Sequence, residues 1–588
     1  MSAQIVFDSK DLREYIFSYL YSFDKLIETD NVYAFEIHKN KKKFTELIND
    51  YTMNDAVEYN SVNLVKWLHN NGYNCTEYAM DIAASEGNIE LLEFLHNNRT
   101  EGCSTDAFIY AVEENQIEVI EWLHKNRLED IPDTIYKNAI DIAIINGDLE
   151  LTKYLYNIYI NRFDNEDCFN FRVISTAISS GNLLLVQWLD DKCKYYSHKE
   201  SWIAAKKGYD EILYWLLKNR NSENVVKRDL TPIYSIYNPQ TNIDKTLVYA
   251  CDGGHLSIVK FLCKYTTDSK ILQEGVNMAA LNGYIDIIIY LHNFYKDSNK
   301  NSYKNIYGKS VLTYAAKGGH LNIIKFIQKK SKSTKISNKN AMDYAALNGY
   351  LHIIEWLHNN RSEGCSIAAL YNACKKGHFN IVKWLTYNKP ELYCGKKAID
   401  YAAAMGHYNI VEWLYINRNE GCSKAALNSS AMNGYLPIVE FLHQHGEICT
   451  IDAMNNAAMN GHLHIVKWLH ENREEGCTTD AIDFAASHGH LEIVKWLHKN
   501  RYEGCTTNAM DLASSHGYLE IVKWLHENRN EGCTTNAIDL AAKHGHILVI
   551  KFLMRERKEG YTYFAIKEAY ENNYITIAKL LRQHYCLV

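Results

Sequence analysis

The amino-acid sequence predicts an all-α solenoid in which short helical hairpins stack one on the next. The first observation behind this prediction is a fixed period, because Trp468, Trp496, Trp524 and Phe552 occupy equivalent positions and are each 28 residues apart. A constant period of about 20 to 50 residues is typical of a stacked repeat array. The second observation is that similar anchors extend back to Trp67, which makes about 18 repeats after residue 50.

The unit that starts at Asp480 has the pattern of two short antiparallel helices. Asp480 stands where an N-cap is expected, as Asn508 does in the next unit, and Asp483 follows three residues on with the spacing of a capping box. The first helix is expected to end at Gly489, because glycine adopts the left-handed conformation that closes a helix. Residues 490–497 then form an amphipathic second helix.

Residues 480–497 read DAIDFAASHGHLEIVKWL. This stretch resembles the ankyrin repeat, whose pattern T-P-L-H-x-A-A-x-x-G-H-L-E-I-V-x-x-L matches it at the helix-packing positions. The unit has 28 residues, against about 33 in the family, and the missing residues fall in the hairpin around 500–507. We therefore expect short or absent β-fingers. Short units of this kind resemble the divergent ankyrin arrays encoded by giant viruses of amoebae.

The resemblance also assigns structural roles to two repeated side chains. His490 and His546 match the histidine of the family's Gly-His turn, where the imidazole is expected to hydrogen-bond the local backbone. Trp496 and Trp524 align with the leucine row of the family's second helix, so they are expected to lie in the core and not to form a base-stacking stripe.

Spacing and composition divide the chain into five segments. Residues 1–50 precede the repeats and are predicted to be helical. Residues 51–218 and 246–562 carry the repeats. Residues 219–245 are a polar insertion, predicted to be an exposed loop, because the interval between two anchors lengthens there by 18 residues. Residues 563–588 keep the helical spacing but lose the Gly-His pair, which indicates a degenerate C-terminal capping repeat.

Residues 1–50 have two interpretations. In the first, they form a helical cap over the apolar face of the first repeat, because repeat arrays need capping. In the second, they form an F-box-like segment, since the stretch is similar to the first helices of an F-box. That resemblance implies an adaptor that recruits a host cullin-type ubiquitin ligase through its adaptor subunit while the array selects the target. The F-box-like residues are Leu12, Ile16, Phe17, Tyr19, Leu20 and Leu26.

Composition narrows the expected partners. The formal net charge is −7, from 63 basic and 70 acidic residues, so we expect protein partners, no nucleic acid, no membrane and a monomeric chain. The sequence shows no signal peptide or transmembrane segment, which predicts an intracellular protein of the (host) cytoplasm. Cysteines such as Cys505 recur once per repeat. Equivalent points in adjacent repeats should lie about 8–10 Å apart, beyond the disulfide limit of about 7 Å, so these cysteines are expected to be reduced and buried.

The residues that suggest chemistry are explained by the repeat. His488 and His490 resemble a pair of metal ligands, but a zinc site needs about four converging ligands. Cys505 lies near His498 in sequence, yet this pair recurs in the neighbouring repeats, whereas a catalytic nucleophile is normally singular. No phosphate-binding glycine loop occurs. We expect no enzyme activity, no catalytic residue, no cofactor and no metal.

The predicted function is a non-catalytic protein-protein interaction scaffold that binds partner proteins through the concave face of the array, as a viral effector acting on host proteins. A structural or packaging component without a dedicated ligand is an alternative, beside the ubiquitin-ligase adaptor. By resemblance, binding positions are the residue before each N-cap and the two before each turn glycine. These positions are Lys375, Lys376, Met405, Met432, Asn433, Met459, Asn460, Thr479, Ser487, His488, Thr507, Ser515, His516, Thr535, Lys543 and His544.

Overall fold

The structure is a computed structural model that describes residues 23–39, 48–49, 51–127, 131–163, 168–170, 172–193, 199–219, 239–266, 268–298, 306–308, 310–330 and 339–585. The described residues form 38 helices and no strand. The prediction of an all-α repeat solenoid without β-fingers is thus confirmed for these parts of the chain. The helices divide between two compact units, Met1–Gly275 and Val276–Val588.

The helices form hairpins, in which odd-numbered helices come first and even-numbered helices second. The helices up to the end of the first unit are α1 Phe23–Glu28, α2 Val32–His38, α3 Thr52–Glu58, α4 Val62–Asn70, α5 Tyr78–Ser85, α6 Ile89–Asn98, α7 Asp106–Glu113, α8 Ile117–Asn126, α9 Asp133–Asn146, α10 Leu149–Phe163, α11 Val173–Ser180, α12 Leu183–Lys192, α13 Lys199–Lys207, α14 Asp210–Asn219, α15 Pro239–Gly253, α16 Leu256–Leu262 and α17 Ser269–Asn282.

The same alternation continues to the end of the described chain. The remaining helices are α18 Ile285–Ser298, α19 Val311–Gly318, α20 Leu321–Lys330, α21 Asn340–Leu347, α22 Leu351–Asn360, α23 Ile367–Lys376, α24 Phe379–Asn388, α25 Lys397–Ala404, α26 Tyr408–Asn417, α27 Lys424–Met432, α28 Leu436–Gln444, α29 Asp452–Met459, α30 Leu463–Asn472, α31 Asp480–Ser487, α32 Leu491–Asn500, α33 Asn508–Ser515, α34 Leu519–Asn528, α35 Asn536–Lys543, α36 Ile547–Glu556, α37 Tyr563–Glu571 and α38 Ile575–Tyr585.

In regular repeats a first helix packs on its own second helix and on the first helix of the next repeat, as α31 does on α32 and α33. The core between them is apolar and tightly closed. Ala485 and Ala486 of α31 are fully buried, and their small side chains let neighbouring helices approach. From α32, Ile493, Val494 and Leu497 fill the same layer. The array is held together by this layer, which repeats along the chain.

The turn between the two helices of a hairpin needs a residue in the left-handed region. Gly489 has φ +86° there. In three early hairpins and the last one the glycine is replaced, and the turn residues Asp30, Asn60, Asn115 and Asn573 have φ of 49° to 65°. Asparagine and aspartate are the non-glycine residues that best tolerate this conformation, which explains why the hairpins survive without glycine.

Two segments differ from the expectation. Helices α1 and α2 form a hairpin like those of the repeats, within residues that were expected to precede the array. It packs on the first repeat, because the Asp30 carboxylate accepts a hydrogen bond from the Leu64 nitrogen at 2.7 Å and the Ser61 hydroxyl donates to the Ile27 carbonyl at 2.6 Å. In the expected loop 219–245, the described residues from Pro239 onward belong to helix α15.

Candidate partner-binding face

One edge of the array is built by an aspartate that joins each first helix to the next repeat. The carboxylate of Asp511, which is 3% exposed, accepts hydrogen bonds from the Thr534 nitrogen at 2.8 Å and hydroxyl at 2.6 Å. The Thr534 hydroxyl in turn accepts a hydrogen bond from the Asn536 nitrogen at the start of α35, at 3.1 Å. The aspartate therefore supports the N-terminus of the following first helix.

This geometry corrects the predicted capping box. Helices α31 and α33 begin with Asp480 and Asn508, so the N-cap positions belong to Thr479 and Thr507, whose side chains make no capping hydrogen bond. Asp483, expected to cap its own helix, binds the next repeat instead. The spacing was read correctly, but the partner lies 23 residues further along the chain.

The same edge is also joined by an arginine that reaches back to the preceding repeat. Arg529 pairs with Glu531 in its own hairpin, and its Nη1 donates to Nδ1 of His498 at 3.2 Å. The His498 ring packs edge-on against Trp524, with ring centroids 5.1 Å apart. Gly504 makes room for the guanidinium, because a Cβ there would lie 2.6 Å from Nη2 of Arg529. The tryptophan, histidine, arginine, glutamate and glycine of this repeated motif thus take part in the contact between adjacent repeats.

The tryptophans and the cysteines of this edge have different environments. Trp496 and Trp524, expected in the core, are half-buried because the preceding histidine packs on their rings. Cys505 is buried, as expected, and burial raises the pKa of its thiol to about 11. A thiol with that pKa holds little thiolate at neutral pH. Cys505 and its equivalents Cys477 and Cys533 form no disulfide bond.

The turn histidines also connect repeats, which corrects the expectation of a local hydrogen bond. The imidazoles of His490 and His546 bind backbone groups of the preceding repeat, at Met459 and Ser515. The His490 ring covers Gly461, where a Cβ would lie 2.7 Å from Cε1. Burial lowers the pKa of His490 and His546, because desolvation disfavours the imidazolium.

The structure divides the predicted binding residues into three groups. Two are buried, Ser487 at 5% and Ser515 at 6% exposed, so the prediction that they face a partner is corrected. The exposed ones are Lys375, Lys376, Met405, Met432, Asn433, Asn460, His488, His516 and His544. The half-buried ones are Met459, Thr479, Thr507, Thr535 and Lys543. Together, the exposed and half-buried residues lie on or next to first helices, and we name them the first-helix face.

The structure describes one of the six F-box-like residues. Leu26 is 4% exposed and lies in α1, within the hairpin that packs on the first repeat. The others lie outside the described residues, namely Leu12, Ile16, Phe17, Tyr19 and Leu20.

The sequence-based selection missed exposed charged residues at the same positions. Lys396 and Lys424 adjoin the start of α25 and α27 and are exposed. Lys317 and Tyr344 face outward from α19 and α21, with the lysine Nζ 5.6 Å from the ring centroid. The rule that selected Thr479, the residue before each first helix, also selects Lys396, so a systematic use of that rule finds part of this set.

Within the part of the chain that the structure describes, no group of three or more histidine, cysteine or acidic side chains has the arrangement of a metal site. No described helix combines the length and the apolar character that crossing a membrane requires.

Solved structures of helical-repeat proteins are among those that the chain resembles. The chain is similar to the pentatricopeptide repeat protein PPR10 from maize, with 10% identity, coverage of 99% of this chain and 98% of that one, and a TM-score of 0.26. PPR10 in complex with an 18-nt psaJ RNA element matches with 9% identity, coverage of 98% and 99%, and a TM-score of 0.24. A cysteine-to-serine variant in complex with RNA matches with 8% identity, coverage of 98% and 96%, and a TM-score of 0.28.

These structures correct one prediction about partners. The sequence-based exclusion of nucleic acid is withdrawn, because two of the similar structures are RNA complexes. At such TM-scores the likeness carries no argument for an RNA ligand of this chain. A comparison with curated proteins gave no match.

The family is shown by sequence models of ankyrin repeats. The model described as "Ankyrin repeats (3 copies)" matches residues 53–135, 276–368 and 342–428. The model described as "Ankyrin repeats (many copies)" matches residues 423–470, 454–498, 482–526 and 510–554. The matches together cover more than half of the chain, and the hairpins continue through the unmatched residues between 136 and 275 where the structure describes them. The chain therefore belongs to the ankyrin-repeat family.

Proposed function

We propose that the chain is a protein-interaction scaffold that binds partner proteins through the first-helix face. The observation that carries the proposal is the contrast between constant contacts inside the array and varied side chains outside it. The residue before the turn glycine is Lys376, Met405, Asn433, Asn460 and His488 in successive repeats, and all five are exposed. Varied exposed residues on a constant scaffold are typical of repeat proteins that recognise other proteins.

The constant contacts make the face suitable for binding. Asp511 joins two repeats at one end of a hairpin, and the turn histidine His546 joins them at the other end. First helices held from both ends keep their exposed side chains at fixed spacing, which lowers the entropy that a partner must overcome on binding. The resemblance to short-repeat arrays of giant viruses adds host proteins as the partner class within this proposal.

Affinity capture from host-cell lysate with the full chain tests the proposal. One variant carries glutamate at three exposed positions of the first-helix face, and its matched control carries glutamate at three exposed positions of second helices. We expect specific proteins to be lost with the first variant and retained with the control. Capture of the same proteins by both variants and the wild type contradicts the proposal. The first set is His488, His516 and His544, and the control set is His464, Leu548 and Thr576.

The adaptor alternative is tested in the same experiment. Full-length chain with Phe17→Asp and Leu20→Asp is compared with the wild type. Loss of a ubiquitin-ligase adaptor subunit from the captured proteins supports an F-box-like role for these residues. Absence of that subunit from the wild-type capture excludes the role and leaves the scaffold proposal as it stands.

A further inference from the structure

We propose that the first helices of residues 311–432 bind an extended, acidic segment of a partner protein that also carries apolar side chains. This inference rests on the proposed scaffold function and names the class of partner for one part of the face. The surface that carries it consists of seven exposed lysines on or directly before five successive first helices. We call this surface the basic face, and its residues are Lys317, Lys339, Lys375, Lys376, Lys396, Lys397 and Lys424.

The basic face is not neutralised from within the array. Among the residues that the structure describes, no carboxylate forms an ion pair with any of its seven lysines. The two aspartates of these helices are engaged elsewhere, because Asp343 and Asp400 accept hydrogen bonds from Ser366 and Ser423 of the next repeats.

The acidic residues of the adjoining hairpins are also engaged. Glu363 and Glu420 pair with arginines in the same hairpins, and Glu391 lies 3.7 Å from Lys389. The seven lysines therefore present a positive field, which is reduced at Lys339 by the nearby Asp343 carboxylate. This field attracts an acidic ligand and is screened by salt.

Exposed apolar side chains lie on or directly after three of these five helices, α21, α25 and α27. Tyr344 and Tyr401 are each 37% exposed, Met405 is 44% exposed and Met432 is 39% exposed. Tyr401 is held in place by Tyr371, whose ring lies edge-on at 5.5 Å. Thioether and phenol side chains of this kind adapt to apolar groups of a ligand.

The combination favours a peptide over a nucleic acid. Phosphate recognition commonly relies on the bidentate geometry of arginine, and the exposed cations of these first helices are all lysines. The exposed methionines Met405 and Met432 match leucine or phenylalanine side chains better than sugar and phosphate. Neighbouring helices lie about 8–10 Å apart, so the five helices span roughly 32–40 Å. An extended segment of about 10–12 residues covers this length.

The positive charge is not shared by the first repeats of the chain. In the first unit, helices α3, α5 and α7 contain no lysine or arginine. Their exposed charges are acidic, and these residues are Glu58, Glu77, Glu86, Asp106, Glu113 and Glu114. Because the whole chain has a net charge of −7, the basic face does not follow from the overall composition. An acidic ligand should be attracted by one set of repeats and repelled by the other.

The test uses fluorescence anisotropy with the full chain. The probe is a fluorescein-labelled peptide of about 12 residues that alternates glutamate with leucine or phenylalanine. Three probes of the same length are compared with it: glutamine in place of glutamate, serine in place of the apolar residues, and oligouridylate RNA. We expect the acidic apolar peptide to bind most tightly, and its affinity to fall as salt rises.

A matched pair of variants locates the site. Four lysines of the basic face are changed to glutamine, and four exposed lysines of second helices are changed in the control. We expect the first variant to bind the acidic peptide at least about tenfold more weakly, and the control to bind as the wild type does. Thermal melting checks that both variants fold. The first set is Lys375, Lys376, Lys396 and Lys397, and the control set is Lys467, Lys499, Lys551 and Lys579.

Several results overturn the inference. Equal binding of the glutamine peptide, or unchanged binding by the basic-face variant, shows that charge at this surface does not select the ligand. Tighter binding of oligouridylate assigns the face to nucleic acid. Light scattering that shows a dimer dependent on the four lysines assigns it to a second copy of the chain. Each result leaves the scaffold proposal to its own test, because that test changes histidines outside the basic face.

Discussion

Replacing Asp511 with alanine tests the contact that joins consecutive first helices. The carboxylate accepts two hydrogen bonds from Thr534, at 2.8 and 2.6 Å, and the residue is 3% exposed. Alanine leaves a buried N–H and a hydroxyl without their acceptor. Hydrogen bonds to charged groups contribute about 1.5–3 kcal/mol each. Burial of the carboxylate offsets part of this gain, because burial raises the pKa of Asp511. We expect a net loss of about 2–4 kcal/mol for Asp511→Ala.

The chain itself provides the conservative substitution. Asn455 occupies the equivalent position two repeats earlier. Its Oδ1 accepts from the Thr478 nitrogen at 3.0 Å, and its Nδ2 donates to the Thr478 hydroxyl at 2.8 Å. Asp511→Asn should therefore cost less than about 1 kcal/mol. Because the pKa of Asp511 is raised in the folded protein, the wild type loses stability as pH rises from the unfolded pKa through the folded pKa. Over the same rise in pH, the stability of the Asp511→Asn variant should increase relative to that of the wild type.

Hydrogen exchange with mass spectrometry is the suitable assay, because a repeat array opens locally and a single unfolding midpoint averages over its units. Exchange should accelerate in α33 and α35 for Asp511→Ala and remain near wild type for Asp511→Asn. Asn508→Ala is the control, since Asn508 is exposed and its side chain caps no helix in the structure. A loss of about 1 kcal/mol for Asn508→Ala, with no effect of Asp511→Ala, would indicate that Asn508 caps its own helix as the sequence predicted and would refute the reasoning.

Three other predictions concern the arginine-glutamate pair, the turn histidine and the turn glycine. The Arg473 guanidinium lowers the pKa of Glu475 to about 2. The stability that this pair contributes is therefore present above the unfolded pKa of about 4.5 and is lost as pH falls towards 2. Urea titrations at stepwise lower pH should show this loss, and Glu475→Gln should reduce it. Burial lowers the pKa of His490 in the folded protein. As pH falls below about 6.5, the imidazole is protonated first in the unfolded chain, so the stability of the fold should decline. His490→Tyr should remove this decline, and an unchanged pH profile contradicts the assignment. Gly489→Ala combines a φ of +86° with a ring atom 2.9 Å from the new Cβ, whereas Gly560→Ala has a φ of +73° and open space around the new Cβ. We expect the free energy of unfolding in urea to fall by about 2–4 kcal/mol for the first variant and about 1 kcal/mol for the second. Equal losses argue against the close ring contact.

The period and the helix pattern were predictable from the sequence because they are local. Apolar residues at helical spacing and a turn glycine define each hairpin within about 20 residues. The partners of Asp483, His490 and Trp496 were not predictable in the same way. Each of these side chains acts on a neighbouring repeat, and a pattern that is identical in every repeat does not indicate which copy it contacts. The structure resolves this ambiguity by giving the distances across repeats.

The candidate binding face was predictable only in part for a related reason. The spacing rule identifies positions near each first helix, but it does not distinguish burial on one side of the helix from exposure on the other. Ser487 satisfies the rule and is buried. Lys397 lies one position outside the rule and is exposed. The charge of the basic face emerges only when exposed residues from five repeats are considered together, because each repeat contributes one or two lysines.

The same inter-repeat contact explains how the array tolerates insertions. In regular repeats the turn histidine donates to a carbonyl 31 residues earlier, as His378 does to Leu347 at 3.0 Å. His255 makes this contact with the Lys206 carbonyl 49 residues earlier, at 3.0 Å. The 18 additional residues equal the excess that the sequence shows between anchors in this region. The insertion therefore lies between α14 and the C-terminal part of α15, and α15, with 15 residues, is itself longer than a regular first helix such as α33, with 8 residues. The turn histidine lies at the other end of the hairpins from that connection, so its contact with the preceding repeat is retained despite the insertion.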